Sequence, residues 1–243
     1  MITGASRGIG AATARLAAER GHAVCVNYRR DADGAQALVR EIEATGGRAI
    51  AVQADVAIEA DVVRLFETVD AQLGTLTGLA NNAGVLERQG RVEDIDAARL
   101  ARIFATNVTG AFVCAREAVR RMSTRHGGRG GAIVNVSSIA ARLGAAGEYV
   151  DYAASKGALD TLTLGLAREV AAEGIRVNAV RPGLIHTGIH ADGGEPGRVE
   201  RIAPSLPMGR GGTPEEVAQA ILWLLSSDAS YATGTFIELG GGR

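Results

Sequence analysis

Short apolar runs alternate along the chain with longer stretches in which apolar residues recur at helical spacing. The runs His22 to Val26, Ala49 to Val52, Leu76 to Ala80, Ala132 to Val136, Ile175 to Val180 and Thr235 to Leu239 predict strands. The stretches near 10–20, 33–45, 59–73, 96–125, 152–173 and 213–227 predict amphipathic helices between them. Nearly continuous apolar strands separated by helices are how a parallel sheet covered on both faces reads. The pattern therefore predicts an α/β fold: one domain spanning 1–243, with a doubly wound parallel sheet, right-handed crossovers and helices on both faces. Only Met1, Ile2 and Thr3 precede Gly4, so a strand at the start is either truncated or begins upstream. Ligands of such sheets bind beyond the carboxyl ends of the strands, which makes the residues just after each strand the candidates for chemistry.

Composition narrows the function classes. Hydrophobic residues make up 47%, charged residues 22% and the formal net charge is -1, which argues against disorder and against electrostatic capture of nucleic acid. Small molecules are the expected partners. Cys25 and Cys114 fall in apolar stretches far apart and read as two buried free thiols of a reducing compartment. No apolar run approaches a membrane span and no charged-then-apolar leader is visible, so a cytoplasmic location is expected. All five prolines lie at or beyond Pro182, separating a regular front from a looped back with a lid at about 186–212. That lid is polar and glycine-rich, which favours a small or polar substrate over a steroid.

Three features carry chemistry. The segment Thr3-Gly4-Ala5-Ser6-Arg7-Gly8-Ile9-Gly10 leads straight into a helix. It sets a glycine-rich turn at a helix N-terminus, where free N–H groups and the helix dipole suit a phosphate and a Rossmann-like dinucleotide site. The spacing is Gly-x-x-x-Gly-x-Gly rather than Gly-x-Gly-x-x-Gly, and a purely structural glycine turn is its rival. The second strand should end near Asn27-Tyr28, where an NAD site places an acidic residue; Arg29 and Arg30 follow instead. With Arg7 they offer planar donors for a ribose 2′-phosphate, favouring NADP(H) and leaving NAD(H) open. Finally, Lys156 is the only lysine among 25 arginines, one helical turn after Tyr152. Positions i and i+4 share a helix face, so the phenol and a compact ammonium can enter one cleft. His186 and His190 have a metal-compatible spacing, but no His-Glu-x-x-His motif or zinc ribbon supports a metal, which disfavours a zinc-dependent alcohol dehydrogenase.

Thr3 to Gly10, Asp55-Val56, Asn81-Asn82-Ala83-Gly84, Asn107, Ser137-Ser138, Tyr152-x-x-x-Lys156 and Pro182-Gly183 stand in the order found in the short-chain dehydrogenase/reductase superfamily. The chain resembles that superfamily along essentially its whole length, and especially its carbonyl-reductase members of the β-ketoacyl carrier-protein reductase and glucose dehydrogenase type. The resemblance implies that Asp55 and Val56 meet the adenine and that Asn81, Ala83 and Gly84 lie beside the cofactor ribose. It implies that Pro182, Gly183, Ile185 and Thr187 shape the nicotinamide pocket, and that Asn107 holds a water near Lys156. Ser138 would bind the substrate oxygen, with Ser137 as a rival because the gap to Tyr152 is one residue longer than usual; Tyr149 would be a pocket wall.

The implied reaction is hydride transfer between NADP(H) and a carbonyl or secondary alcohol of a small substrate, with Tyr152 as acid/base. An ammonium ~4 Å away at an effective dielectric of ~20 lowers a phenol by roughly three pH units before burial opposes it. An NAD(H)-preferring sugar or polyol dehydrogenase is the alternative within the class, and a non-catalytic dinucleotide sensor the alternative outside it. A homotetramer, or a dimer, is expected from apolar surface on the long helices.

Overall fold

The computed structural model describes residues 1–243. Strands β1 (Val24–Tyr28), β2 (Ala49–Gln53), β3 (Gly78–Asn81), β4 (Gly131–Val136), β5 (Ile175–Pro182) and β6 (Phe236–Leu239) all pair in parallel. The helices are α1 (Gly8–Glu19), α2 (Ala32–Ala44), α3 (Glu59–Leu73), α4 (Ala97–Phe104), α5 (Ala111–Met122), α6 (Ala140–Leu143), α7 (Val150–Val170), α8 (Ile189–Asp192), α9 (Arg198–Ile202) and α10 (Pro214–Leu225). β1 pairs with β2, and β3 to β6 pair in chain order. Ile2 joins the two groups by bridging Val26 on one side and Ala80 on the other. The short start of the chain is thus the centre of the sheet, where its winding reverses and where an open sheet forms a crevice.

Period-2 alternation along the strands feeds two cores. Val24, Val26, Ala80, Val134 and Val180 face α1, α2 and α10, packing with Ala14, Leu38, Ile42, Ile221 and Leu222. Their neighbours Cys25, Leu79, Ile133 and Val177 face α3, α5 and α7, packing with Leu65, Phe66, Met122 and Val170. The helices bury the stripe that their sequence predicts: α2 covers Ala35, Leu38, Val39 and Ile42 and is capped by Asp31, whose carboxylate accepts from Gly34 N at 3.1 Å. Pro214 opens α10 inside a reciprocal box, with Glu216 N donating to Thr213 Oγ1 at 3.2 Å and Thr213 N to Glu216 Oε2 at 2.8 Å. No helix is long and apolar enough to cross a membrane.

Two expectations need correction. The run 22–26 is a strand only from Val24, because His22 N still closes α1 on Ala17 O at 3.0 Å after a left-handed Gly21; the strand then continues to Tyr28. The stretch 96–125 is continuously helical only from Ala97 to Met122, and a π turn, Ala105–Gly110, is inserted within it between α4 and α5. The lid region also has more internal structure than a polar loop, since Leu184, Val199 and Leu206 form a small buried cluster around α9.

Candidate active site

The glycine loop is held from below by amides and a hydroxyl. Asn27 accepts from Gly4 N at 3.1 Å and donates to Ala54 O at 3.1 Å, pinning the loop to the ends of β1 and β2. Thr3 Oγ1 accepts from both Asn82 N and Ala83 N at 2.9 Å, and the Asn82 amide donates to Thr3 O at 2.8 Å and Gly4 O at 3.0 Å. Gly4 turns through φ +60 and Gly8 through φ +56, a region that L side chains avoid. A Cβ on Gly10 would lie 2.6 Å from Gly4 O, so helix and loop close only around a hydrogen. α1 has no side-chain cap and no acidic residue in its first turn. Its free N–H groups therefore face the cleft, a cradle that suits a phosphate.

That cleft measures about 970 Å³ and runs from the glycine loop across the ends of β1, β2, β4 and β5 to the lid. It is lined by Gly4, Ser6, Arg7, Gly8, Ile9, Asn27, Tyr28, Arg29, Arg30, Asp55, Val56, Ala83 and Gly84, and farther along by Ser138, Tyr152, Lys156, Pro182, Gly183, Ile185 and Thr187. Three sequence-predicted site residues stand outside it. Gly10 packs α1 on its loop; Asn81 points into the core, donating to Ala111 O at 2.9 Å and Asn135 Oδ1 at 3.2 Å; Asn107 is buried beside Gly84 and Val85, bonded to Val85 N. Their buried polar groups are spent on the scaffold. The arginines are differently committed: Arg29 reaches Asp55 at 3.9 Å, Arg7 pairs with Asp192 of α8, and Arg30 is exposed.

At the other end, β4 delivers Ser137 and Ser138, and α7 delivers Tyr152 and Lys156. Ser137 donates to Asp160 Oδ1 at 2.6 Å and to Lys156 O at 3.3 Å, so its hydroxyl is consumed in holding strand to helix. Ser138 is the serine that stands beside the Tyr152 phenol and acts to lower its pKa, its own hydroxyl accepting from Ala140 N at 3.1 Å. Lys156 is buried, donates to Val136 O at 2.8 Å and sits 5.6 Å from the centre of the Tyr152 ring. Burial lowers its ammonium to about 8, against the attraction of Asp160. Burial also pushes the Tyr152 phenol up to about 12, opposed by Ser138. The expectation that the lysine charge would govern the phenol is not met in this structure, where removal from water dominates both groups.

Asn107 clamps the wall beside the lysine. Its Oδ1 accepts from Val85 N at 2.8 Å, and its Nδ2 donates to Val85 O at 3.0 Å and Ser155 Oγ at 3.0 Å. This peptide-like pairing replaces a strand neighbour and coincides with the π segment that interrupts the helix. The longer gap between Ser138 and Tyr152 is absorbed by α6 and a left-handed turn in which Gly144, Ala145 and Gly147 all have positive φ. Tyr149 lines the cleft with its hydroxyl donating to Gly193 O at 3.3 Å. His186 and His190 do not converge: the first faces Glu200 at 3.6 Å and the second bonds Ile185 O at 2.9 Å.

Sequence reasoning missed the residues behind the site. Asp160 lies one turn after Lys156 and bonds Arg181 at 2.9 Å; Asp151 pairs with Arg99 of α4 at 2.6 Å while accepting from Tyr152 N at 2.9 Å. A signal was available for Asp160, an acid at i+4 from the only lysine, but none for Arg99 or Asp192.

Comparison with known proteins agrees with this geometry. Residues 4–243 match the family model described as enoyl-(acyl carrier protein) reductase. The chain is 58% identical over 243 residues, all of it and 98% of the relative, to the uncharacterised oxidoreductase YgfF of Escherichia coli (strain K12). It is 41% identical, over its whole length and 94% of the relative, to cis-4-hydroxycyclohexanecarboxylate dehydrogenase of Sinomonas cyclohexanicum. A short-chain dehydrogenase from Burkholderia cenocepacia J2315, solved in complex with NADP, superposes with a TM-score of 0.91 at 33% identity, covering 99% of this chain and 96% of that one.

Proposed function

The chain belongs to the short-chain dehydrogenase/reductase superfamily and is an oxidoreductase of hydroxyl and carbonyl groups, and from that premise we propose that it moves hydride between NADP(H) and the carbonyl or secondary alcohol of a small substrate, with Tyr152 as acid/base. The observation that carries this reading is the meeting of Ser138, Tyr152 and the buried Lys156 at one end of a cleft whose other end is the uncapped glycine loop.

The residues present fit a nicotinamide dinucleotide. Ser6, Arg7, Gly8 and Ile9 would hold the pyrophosphate at the α1 N-terminus. Asp55 and Val56 would flank the adenine, while Arg7, Arg29 and Arg30 favour a 2′-phosphate. Ala83, Gly84, Pro182, Gly183, Ile185 and Thr187 would enclose the nicotinamide half, and Lys156 would grip ribose hydroxyls. When bound, the cofactor supplies or accepts the hydride. Ser138 orients the substrate oxygen by donating to it, and Tyr152, with its proton retained at neutral pH, donates that proton as charge develops on the oxygen. A phenol held near 12 suits the reducing direction. Lys156 returns a proton toward Tyr152, while Asn107 and Asp160 fix the wall and helix that carry it.

The assembly we favour is a homotetramer, because Phe112 on α5, Leu164 on α7, Trp223 on α10 and the fully exposed Tyr231 offer apolar surface that the chain leaves uncovered. Free, buried Cys25 and Cys114 are in keeping with a reducing, cytoplasmic setting. The test of the activity is NADPH oxidation followed with a panel of small ketones and aldehydes; absence of turnover across the panel, with the nucleotide bound, would favour a sensor.

A further inference from the structure

The lid is seated directly on the glycine loop. A Cβ on Gly8 would lie 3.3 Å from the Thr187 methyl, and a Cβ on Gly188 would lie 3.0 Å from an Nη of Arg7. Beyond Gly188, the Arg7 guanidinium pairs with the carboxylate of Asp192, the last residue of α8. Arg7 is also the N-cap of α1, so its charge adds to the N–H groups and dipole that draw an anion to this point. A side-chain carboxylate from the lid therefore occupies the cation that stands at the N-cap of α1.

We propose that Asp192 is an internal occupant of this anion site, and that a phosphate of the nucleotide takes its place on Arg7, releasing α8 from the glycine loop as the cofactor binds. The inference rests on the nucleotide-binding reading given above. The exchange is favourable in direction: the two side chains are 61% and 46% exposed, so their pairing is screened by water and weak, whereas a phosphate gives the planar guanidinium a partner of higher charge and matched shape. The carboxylate still subtracts from nucleotide affinity, first by competing for Arg7 and then by lying close to the incoming phosphate. Cofactor affinity and lid position are thereby coupled through one ion pair, and Asp192 becomes a determinant of cofactor binding although it lies 185 residues from Arg7 in sequence.

Nucleotide Kd values of the full chain, from NADPH and NADH fluorescence at low salt, test this in wild type, Asp192→Asn and Asp192→Ser. Both substitutions are expected to tighten binding about three- to tenfold, with the gain shrinking at high salt. A larger gain for NADPH than for NADH identifies the 2′-phosphate as the competitor; equal gains identify the pyrophosphate; either supports the exchange. Unchanged or weaker binding of both nucleotides in both variants overturns it. A wild-type chain that binds neither nucleotide would overturn the nucleotide reading itself, which is a separate result.

Discussion

Lys156 serves the proposed chemistry at a cost to the fold. Its ammonium is drawn out of water and its pKa falls from 10.5 to about 8, so folding favours the neutral amine. The penalty is complete below pH 8 and fades as pH rises toward 10.5, adding about 3 kcal/mol of stability across that window. Lys156→Met should remove this pH dependence. At pH 7 the relief is offset by the orphaned Val136 carbonyl, worth about 1–3 kcal/mol, so the variant should unfold at a temperature near or above wild type while losing turnover. The difference in thermal unfolding between wild type and variant from pH 7 to 10.5 checks both signs, because burial of Cys25, Cys114 and Tyr152 lowers the stability of both proteins as pH rises over the same range. Because the chain has a single lysine, labelling with ε-¹³C-lysine gives one side-chain resonance whose titration should centre near 8, and carbonyl reduction should slow as pH passes that value. The importance of Tyr152 and Lys156 was legible from their spacing and from the missing lysines elsewhere. Their protonation was not, since Coulomb arithmetic at an assumed separation omits burial, and burial is decided by how β4, α6 and the lid pack around α7, which spacing alone does not show.

At the scale of elements, Asn107 shows why the long predicted helix carries a π turn. Apolar periodicity continues from Leu100 through Val119, so pattern alone extends a helix, and the asparagine registers only as poor propensity. What the pattern lacks is Val85, whose N–H and carbonyl both need partners at the edge of the cleft. Asn107→Ala would orphan those groups and leave Ser155 Oγ without its donor, costing about 2–4 kcal/mol by chemical denaturation; a loss under 1 kcal/mol would mean that the clamp is dispensable. Glycines divide likewise by context. Gly10→Ala should sharply reduce both stability and nucleotide affinity, because its Cβ would meet backbone at 2.6 Å. Gly165→Ala in α7 meets no atom of its own chain within 4 Å and should add about 1 kcal/mol to an isolated subunit.

For the whole molecule, the parallel doubly wound sheet was readable because every two successive strands from Val24 onward are separated by at least one helix. The centre of the sheet was not, since Met1 to Thr3 is too short to carry a period and becomes a strand only between Val26 and Ala80. Association lay further beyond reach, although exposed Phe112 and Leu164 mark candidate faces. Light scattering should give about four times 25.0 kDa, and a mass near 25 kDa would reject the tetramer. All of these elements serve the cleft, and its chemistry can be tested by one substitution. With the fastest carbonyl substrate of the panel, the hydride-transfer rate from NADPH should fall by about 10²–10⁴-fold in Tyr152→Phe while NADPH affinity stays within a few-fold of wild type. A Tyr152→Phe enzyme that binds NADPH normally and reduces the substrate at a rate comparable to wild type would contradict the account.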